Sequence, residues 1–315
     1  MLHFYPHGDD AEPAEDCRWI DLVDPTEDEI MLVKQRFGVA VPTQDSLREI
    51  EVTSRLRIEG DILSMSAPLI AGAMTDHWKI APTGFILSPE HLVTVRFADL
   101  PAFDTVIDEI GDGPRKAPAE ILVRLLEEIV DRAADHLERA SETVAAASQK
   151  VFFDGLDNRR MSKDTARLRD VMRQIGRASD RTSRVRYMFL SIGRIAGFVI
   201  DRCETGIDAH ARDRFDAVRH DIASLDEFET SLSGRIQLLQ DAATGFISIE
   251  QNDVVKLLTV VSVAGVPPVL VVGIYGMNFR YMPELGWHYG YPFALALCLL
   301  SIVVPLLWFK WKDWI

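Results

Sequence analysis

The sequence is short of cysteine, and its three cysteines lie far apart. Cys17, Cys203 and Cys298 form no CxxC spacing, so the sequence predicts neither a disulfide framework nor a thiolate zinc site. Acidic residues outnumber basic residues by 48 to 34, which gives a formal net charge of -14. Because a nucleic-acid binder needs basic surface to neutralise phosphates, this balance argues against a nucleic-acid partner.

The sequence also lacks the motifs that mark common enzymes. It contains no glycine-rich phosphate loop, no nucleophile elbow and no internal repeat. The first residues, MLHFYPHGDDAEPAEDC, have neither a basic n-region nor an apolar h-region, so they do not predict a secretory signal. We therefore expect no catalytic residues, no cofactor and a protein that is not an enzyme.

Two long uncharged apolar runs lie near the C-terminal end, at residues 257–275 and 291–309. Each has about 19 residues and would form roughly 28 Å of helix, close to the thickness of about 30 Å of a bilayer's hydrocarbon core. The runs therefore predict two transmembrane helices, with lipid as a partner.

The basic residues predict how these helices are oriented. Lys256 precedes the first run and Lys310 and Lys312 follow the second, whereas the connection at residues 276–290 carries only Arg280. The positive-inside rule therefore predicts cytoplasmic termini, an outer loop and a multi-pass protein of the plasma (inner) membrane. Trp308, Trp311 and Trp314 fit an interfacial aromatic belt at the cytoplasmic end of the second run.

The first apolar run contains small and weakly polar residues that allow close helix packing. Two spans per chain cannot enclose an aqueous path, so transport would require several copies, each contributing one helix around a common axis. Pro267-Pro268 removes two backbone donors, which predicts a bend or a break in this helix. Ordinary helix packing is the alternative explanation of the small residues.

The N-terminal part begins with a mixed pattern. The string DPTE predicts a helix start with Asp24 as the cap and Pro25 in the first turn, and this helix ends at Gly38. We expect His3 and His7 to lie in a flexible tail. The strings RLRIE and ILSMSAPLI flank a Gly60-Asp61 turn and predict a strand hairpin.

The strings TGFILS and HLVTVRF flank Pro89-Glu90 and predict a second hairpin. A stretch without proline then predicts three helices, at residues 119–153, 160–203 and 208–275, separated by a turn at 154–158 and a break at Thr205-Gly206. The last of these is long enough, about 100 Å, to be a stalk.

The predicted fold is an α+β membrane protein. Its parts are an N-terminal cytoplasmic α/β domain (1–117), cytoplasmic helices that include a long helical stalk (118–253), and a transmembrane domain with two C-terminal helices (254–315).

The string YGMNFRYMPEL, followed by WHYGYP, stands at the outer end of the first run. With this organisation, the sequence resembles the CorA family of magnesium and cobalt transporters. The resemblance implies a homopentamer in which the first span lines the pore and Gly276, Met277 and Asn278 form the selectivity filter. A local reading remains open, in which Gly276 ends the helix and Asn278 caps a loop.

The resemblance also implies which residues line the pore and which bind metal. Stepping along the first span by helical periods gives one face, which the resemblance identifies as the pore lining: Asn252, Val255, Thr259, Ser262, Val266, Val269 or Leu270, and Gly273. Glu284 in the outer loop would concentrate cations, or else only cap local structure.

Asp241 and Asn278 are the residues that the resemblance implies as metal ligands. Asp241 would bind Mg²⁺ between neighbouring protomers and hold the closed state, or else be an ordinary solvated acid. Its partner acid is not identified, and Ala217 and His220 stand where other acids of the family's stalk are expected.

The implied function is a pentameric channel that moves Mg²⁺, and also Co²⁺ and Ni²⁺, and is gated by intracellular Mg²⁺. A zinc transporter of the same superfamily, perhaps coupled to protons, is an alternative, although the eight histidines form no cluster. A membrane-tethered sensor that never conducts is another, and ion flux in liposomes separates it from the first two.

Overall fold

The structure is a computed structural model that describes residues 1–5, 17–49, 55–72, 79–111, 116–153, 161–203, 207–278, 280, 282–312 and 314. It divides into two compact units. The first contains Met1–Gly155 and Asp170–Leu239, and the second contains Leu156–Arg169 and Gln240–Ile315. The predicted domain boundaries, which divide the chain differently, stay predictions.

The first unit is built on a six-stranded sheet with the order β1-β2-β6-β5-β4-β3. The β2–β6 pair is parallel and the other neighbours are antiparallel. The hairpins β3–β4 and β5–β6 confirm the two predicted hairpins. Gly60 lies in the turn of the first hairpin with a φ of +63°, in the left-handed region that favours glycine. The strands are β1 (Leu2–Tyr5), β2 (Trp19–Val23), β3 (Leu56–Glu59), β4 (Ile62–Ala71), β5 (Lys79–Leu87) and β6 (Leu92–Arg96).

Helices cover both faces of the sheet. Alternate residues of the strands point to opposite faces, and one face packs on α3 (Pro101–Gly111) and α4 (Pro118–Phe152) around Phe85 and Phe103. The other face packs on α1 (Glu27–Phe37) and α2 (Gln44–Leu47). The sheet is therefore buried on both sides, and its core is complete within the first unit.

A polar network is buried within the sheet. Arg96 Nε donates to Asp21 Oδ2 at 3.0 Å, and the Thr94 hydroxyl donates to Asp21 Oδ1 at 2.5 Å. The Trp19 indole donates to Thr94 Oγ1 at 2.9 Å. All four side chains are buried, so the Asp21 charge depends on Arg96 for its compensation.

Three long helices follow the sheet: α4, α5 (Met161–Arg202) and α6 (Ala209–Tyr275). They confirm the three predicted helices to within two residues, whereas the predicted turn at 154–158 and break at Thr205-Gly206 lie outside the described residues. Asp208 caps α6 by accepting the Ala211 amide at 2.7 Å. Helix α6 continues through Pro267 and Pro268, so the helix does not end there, and the alternative prediction of a bend stays a prediction.

Two predictions for the N-terminal part are wrong. Thr26, not Asp24, caps α1, and Glu29 completes a capping box with it. The helix begins at Glu27, and the Asp24 amide donates instead to the Arg96 carbonyl at 2.9 Å. His3 lies in strand β1 instead of a flexible tail, because that strand pairs with β2; His7 is outside the described residues.

The second unit contains the end of α6, a short 3₁₀ helix (Pro283–Gly286) and α7 (Gly290–Trp311). Helices α6 and α7 are long and apolar enough to cross a membrane, and only 6% of the most apolar window of each is buried. A mixed sheet domain, a 67-residue helix with an apolar C-terminal part, and a second apolar helix confirm the predicted fold class.

Candidate ion-permeation site

The Gly-Met-Asn segment follows directly on the last residue of α6. The Gly276 amide donates to the Val272 carbonyl at 2.9 Å, and the Met277 amide donates to the Ile274 carbonyl at 3.2 Å. Gly276 is not among the described residues with positive φ, so it is not a left-handed helix terminator. The Asn278 side chain is exposed and forms no hydrogen bond to the described residues, which leaves its amide oxygen available to a ligand.

Within the apolar part of α6, one side of the helix is covered and the other is not. Val260 is only 6% exposed, and partly buried residues recur from it at helical spacing. Cys298 Sγ of α7 lies 4.0 Å from the Pro268 carbonyl oxygen, so α7 approaches this side. The covered stripe consists of Val260, Ala264, Pro267, Pro268, Val271 and Tyr275.

The predicted pore face lies on the opposite side of the same helix. Its valines are among the more exposed large apolar residues, with Val255 at 59%, Val266 at 64% and Val269 at 72%. Asn252, Ser262 and Gly273 are exposed and Thr259 is partly exposed. This face is therefore the side that the rest of the chain leaves open.

The hydroxyl group of Thr259 is committed to its own helix. It donates to the Val255 carbonyl at 2.8 Å, so its oxygen presents only lone pairs to the open side. At the N-terminal end of the apolar part of α6, Lys256 Nζ lies 3.1 Å from Asp253 Oδ1, next to the exposed Asn252. Asn252 lies 23 residues before the end of α6 at Tyr275, roughly 35 Å of helix, and Asn278 lies beyond that end. A single chain therefore spreads these residues along the span and does not gather them at one point.

The loop between α6 and α7 folds back onto the start of α7. The Trp287 amide donates to the Glu284 carbonyl at 3.3 Å, and the Gly290 amide donates to the Trp287 carbonyl at 3.0 Å. The Trp287 ring packs against Phe293, with 5.8 Å between centroids. The Glu284 side chain is exposed. The string WHYGYP does not indicate a role for Gly290, because the close approach of Gly290 to Glu284 is a tertiary contact.

Asp241 lies on α6 and is exposed. Its carboxylate forms no ion pair or hydrogen bond to the described residues. No group of three or more His, Cys, Asp or Glu residues is arranged to hold a metal ion in the described part of the chain. A single chain therefore does not complete a metal site at Asp241.

Comparison with known proteins identifies the family. The family model for CorA-like Mg²⁺ transporter protein matches residues 14–311. The chain belongs to the CorA family. Proteins called "Magnesium transport protein CorA" are similar along almost the whole chain. The one from Haemophilus ducreyi is 32% identical over 96% of this chain and 94% of its own length. The one from Escherichia coli K12 is 30% identical over 98% of this chain and 95% of its own length.

Solved structures of similar fold agree with this family assignment. The complete CorA magnesium transporter from Methanocaldococcus jannaschii matches with a TM-score of 0.75 and 19% identity, over 97% of this chain and 94% of that chain. The full-length CmaX protein matches with a TM-score of 0.67 and 16% identity, over 96% of this chain and 90% of that one. The predicted CorA resemblance is confirmed, and CorA transporters are membrane proteins rather than a class of enzymes.

The C-terminal end of α7 in this CorA chain carries an aromatic cluster. Phe309 is buried between Trp308 and Trp314, at centroid distances of 5.1 and 5.4 Å. Lys312 Nζ lies 5.4 Å from the centre of the Trp308 ring. The tryptophans predicted as an interfacial belt thus gather at one end of α7, where amphipathic rings suit the boundary between lipid and water.

Proposed function

We propose that this chain assembles as a homopentamer that moves Mg²⁺ across the membrane, also admits Co²⁺ and Ni²⁺, and closes when intracellular Mg²⁺ is high. One observation carries the proposal: α7 covers one side of α6, and the opposite, open side runs to the exposed Asn278. Five such open sides around an axis would enclose a path that one chain cannot form.

The chemistry of the Gly276–Asn278 segment suits a hydrated divalent cation. Mg²⁺ is small and gives up its water slowly. The free amide oxygen of Asn278 can accept hydrogen bonds from the ion's water shell, and five neutral oxygens bind weakly enough to release it. The names of the similar proteins, magnesium transport proteins, support Mg²⁺ as the substrate.

The rest of the path favours cations and provides a gate. The Thr259 hydroxyl oxygen offers only acceptor lone pairs, which match the outward-pointing hydrogens of a hydrated cation. The valines on the open face would form an apolar constriction that can lose its water and so stop conduction.

Gating by intracellular Mg²⁺ is assigned to Asp241. Its carboxylate is exposed and without a partner among the described residues, so it is available to a cation shared with a neighbouring protomer. Cation binding there would favour the closed state by relieving repulsion between carboxylates.

The decisive experiment is flux into liposomes that contain the purified chain. Mg²⁺ uptake is measured alone and in competition with Co²⁺, Ni²⁺ and Zn²⁺, with protein-free liposomes as the control. We expect Mg²⁺ uptake that Co²⁺ and Ni²⁺ inhibit. Zinc uptake without Mg²⁺ uptake would favour the zinc transporter, and no uptake of any of these ions would favour a non-conducting sensor.

The assembly is tested by the mass of the purified protein in detergent. We expect five copies of the 35.4 kDa chain. A monomer or dimer that still conducts would contradict the arrangement of five open α6 faces around one axis. The predicted cytoplasmic termini are checked separately in intact cells, because a protease added outside the cells should leave both termini uncut.

A further inference from the structure

The outer loop is closed against the first turn of α7 at Gly290, which is buried. A Cβ atom at this position would overlap the backbone carbonyl oxygen of Glu284 and would lie 4.0 Å from Trp287 Cβ. Because rotation of a side chain cannot relieve an overlap with a carbonyl oxygen, any larger residue at position 290 has to push the loop away from the helix.

A second glycine of the same loop is different. Gly286 ends the 3₁₀ helix, is exposed, and has no atom within 4 Å of the position where a Cβ would stand. Its backbone is not among those with positive φ, so alanine fits there. Glycine is therefore required at position 290 but not at position 286.

The contact at Gly290 fixes the backbone of Glu284 and leaves its side chain free. The Glu284 carbonyl oxygen packs on Gly290 and accepts the Trp287 amide at 3.3 Å. Its carboxylate is exposed and makes no ion pair or hydrogen bond within the described residues. The Glu284 backbone is thus held in place, while the negatively charged Glu284 carboxylate stays exposed to solvent.

We propose that Gly290 is a positioning residue for cation access: by letting the loop close on α7, it holds the Glu284 carboxylate at the outer mouth of the pore. This inference rests on the proposed function, since it assumes that cations enter past Asn278. The field of a carboxylate in salt solution decays over about 8 Å, so a small displacement of the loop lowers the cation concentration at the mouth. The half-saturating Mg²⁺ concentration should therefore rise, while uptake at saturating Mg²⁺ should change little.

The test compares Gly290→Ala with Gly286→Ala in the full chain, in liposomes at matched protein content. We expect Gly290→Ala to raise the half-saturating Mg²⁺ concentration by on the order of threefold to tenfold at low ionic strength, and Gly286→Ala to leave it unchanged. The increase should shrink as salt is added, because salt screens the carboxylate. A general structural defect would not depend on salt in this way.

Glu284→Gln shows whether Gly290 acts through the carboxylate. This variant alone should raise the half-saturating concentration, and Gly290→Ala added to it should have no further effect. The inference is overturned if Gly290→Ala behaves like Gly286→Ala, or if it retains its full effect in the Glu284→Gln background.

If Gly290→Ala does not assemble, Trp287→Ala tests the same inference. It removes the packing on Phe293 that holds the same loop and introduces no overlap, so it should cause a smaller increase of the same kind. An unchanged half-saturating concentration in this variant would overturn the inference. If the unmodified chain carries no Mg²⁺, the inference fails together with the proposed function, whereas normal transport with insensitive loop variants refutes the inference alone.

Discussion

The two compact units of the chain treat their apolar side chains in opposite ways. In the first unit, the largest side chains of the sheet, such as Trp19 and Phe85, are fully buried between helices. In the second unit, Val269 is 72% exposed and Trp311 is 81% exposed. The first unit thus completes its core within one chain, whereas the second leaves apolar surface that lipid and further copies of the chain can cover.

The difference extends to polar groups. The first unit pairs its buried charges internally, as Arg96 does with Asp21. The polar residues proposed to handle ions, Asn278, Glu284 and Asp241, are exposed and without hydrogen bonds or ion pairs to the described residues. Stability is therefore expected to depend on the first unit, and transport on the side chains that the second leaves open.

Asn278→Ala tests this separation most severely. We expect Mg²⁺ uptake to fall to the level of protein-free liposomes, because the variant removes the amide oxygen proposed for the selectivity ring. Assembly and thermal stability should stay normal, since the side chain contacts no core residue. The measurements are uptake and mass in detergent, and normal uptake by a correctly assembled variant would contradict the proposed role.

Arg96→Met tests the expectation that stability depends on the buried charge pair of the first unit. It leaves the Asp21 carboxylate buried without its guanidinium partner, which should cost about 3–5 kcal/mol of unfolding free energy. Thermal unfolding in detergent measures the loss. The double variant Asp21→Leu/Arg96→Met should recover much of it.

Arg48→Ala is the matched control for that loss. Arg48 and Asp45 form an exposed pair at 3.8 Å, so its removal should change stability by less than about 1 kcal/mol. If Arg96→Met and Arg48→Ala lower the free energy of unfolding equally, the buried pair contributes no more to stability than the exposed pair.

Asp241→Ala should weaken closure by intracellular Mg²⁺. A loss of about 1 kcal/mol of coupling would raise the Mg²⁺ concentration that protects the cytoplasmic unit from protease about fivefold. The control is Asp216→Ala, which removes another exposed acid of α6. Identical protection curves for wild type and Asp241→Ala would make Asp241 an ordinary solvated acid.

Substitution of His136 should have the smallest of these effects. It should change how the stability of the first unit depends on pH. Burial, together with Arg181 and Arg139, lowers the pKa of His136 below its usual value. The unfolded chain then binds a proton more readily, so stability is full above about pH 6.5 and falls as the pH drops toward the lower folded-state pKa.

The measurement for His136 is the thermal midpoint at pH 8 and pH 5.5, for wild type and His136→Gln. We expect wild type to lose more stability than His136→Gln at the lower pH. The same pH dependence in both proteins would exclude His136 as the cause.

Local patterns were enough to predict the hairpins and the long helices. A turn at Gly60-Asp61 between alternating strands, and apolar residues at helical spacing, are short-range signals. The parallel pairing of β2 with β6 joins Trp19 to Leu92 across more than 70 residues, and no local spacing encodes it. The pairing of β1 with β2 is also a tertiary contact, and for this reason the sequence around His3 predicts a flexible tail.

The candidate site was predictable to the extent that its residues follow one another on a helix. The pore face follows from the helical period, and Asn278 from the string that resembles the CorA family. The contact of Gly290 with the Glu284 carbonyl depends on how the chain turns back on itself, so no local pattern predicts it. Assembly depends on surfaces of other copies, which a single sequence does not specify.

Pro267 and Pro268 give α6 a mechanical property. Neither residue has an amide hydrogen, so the carbonyl oxygens of Val263 and Ala264 lack their usual donors four residues on, although the helix continues. Resistance to bending is therefore lowest at this level of the span. A small tilt about this point would swing Asn278 relative to Asn252 and change the width of the two ends of the path without unwinding a turn.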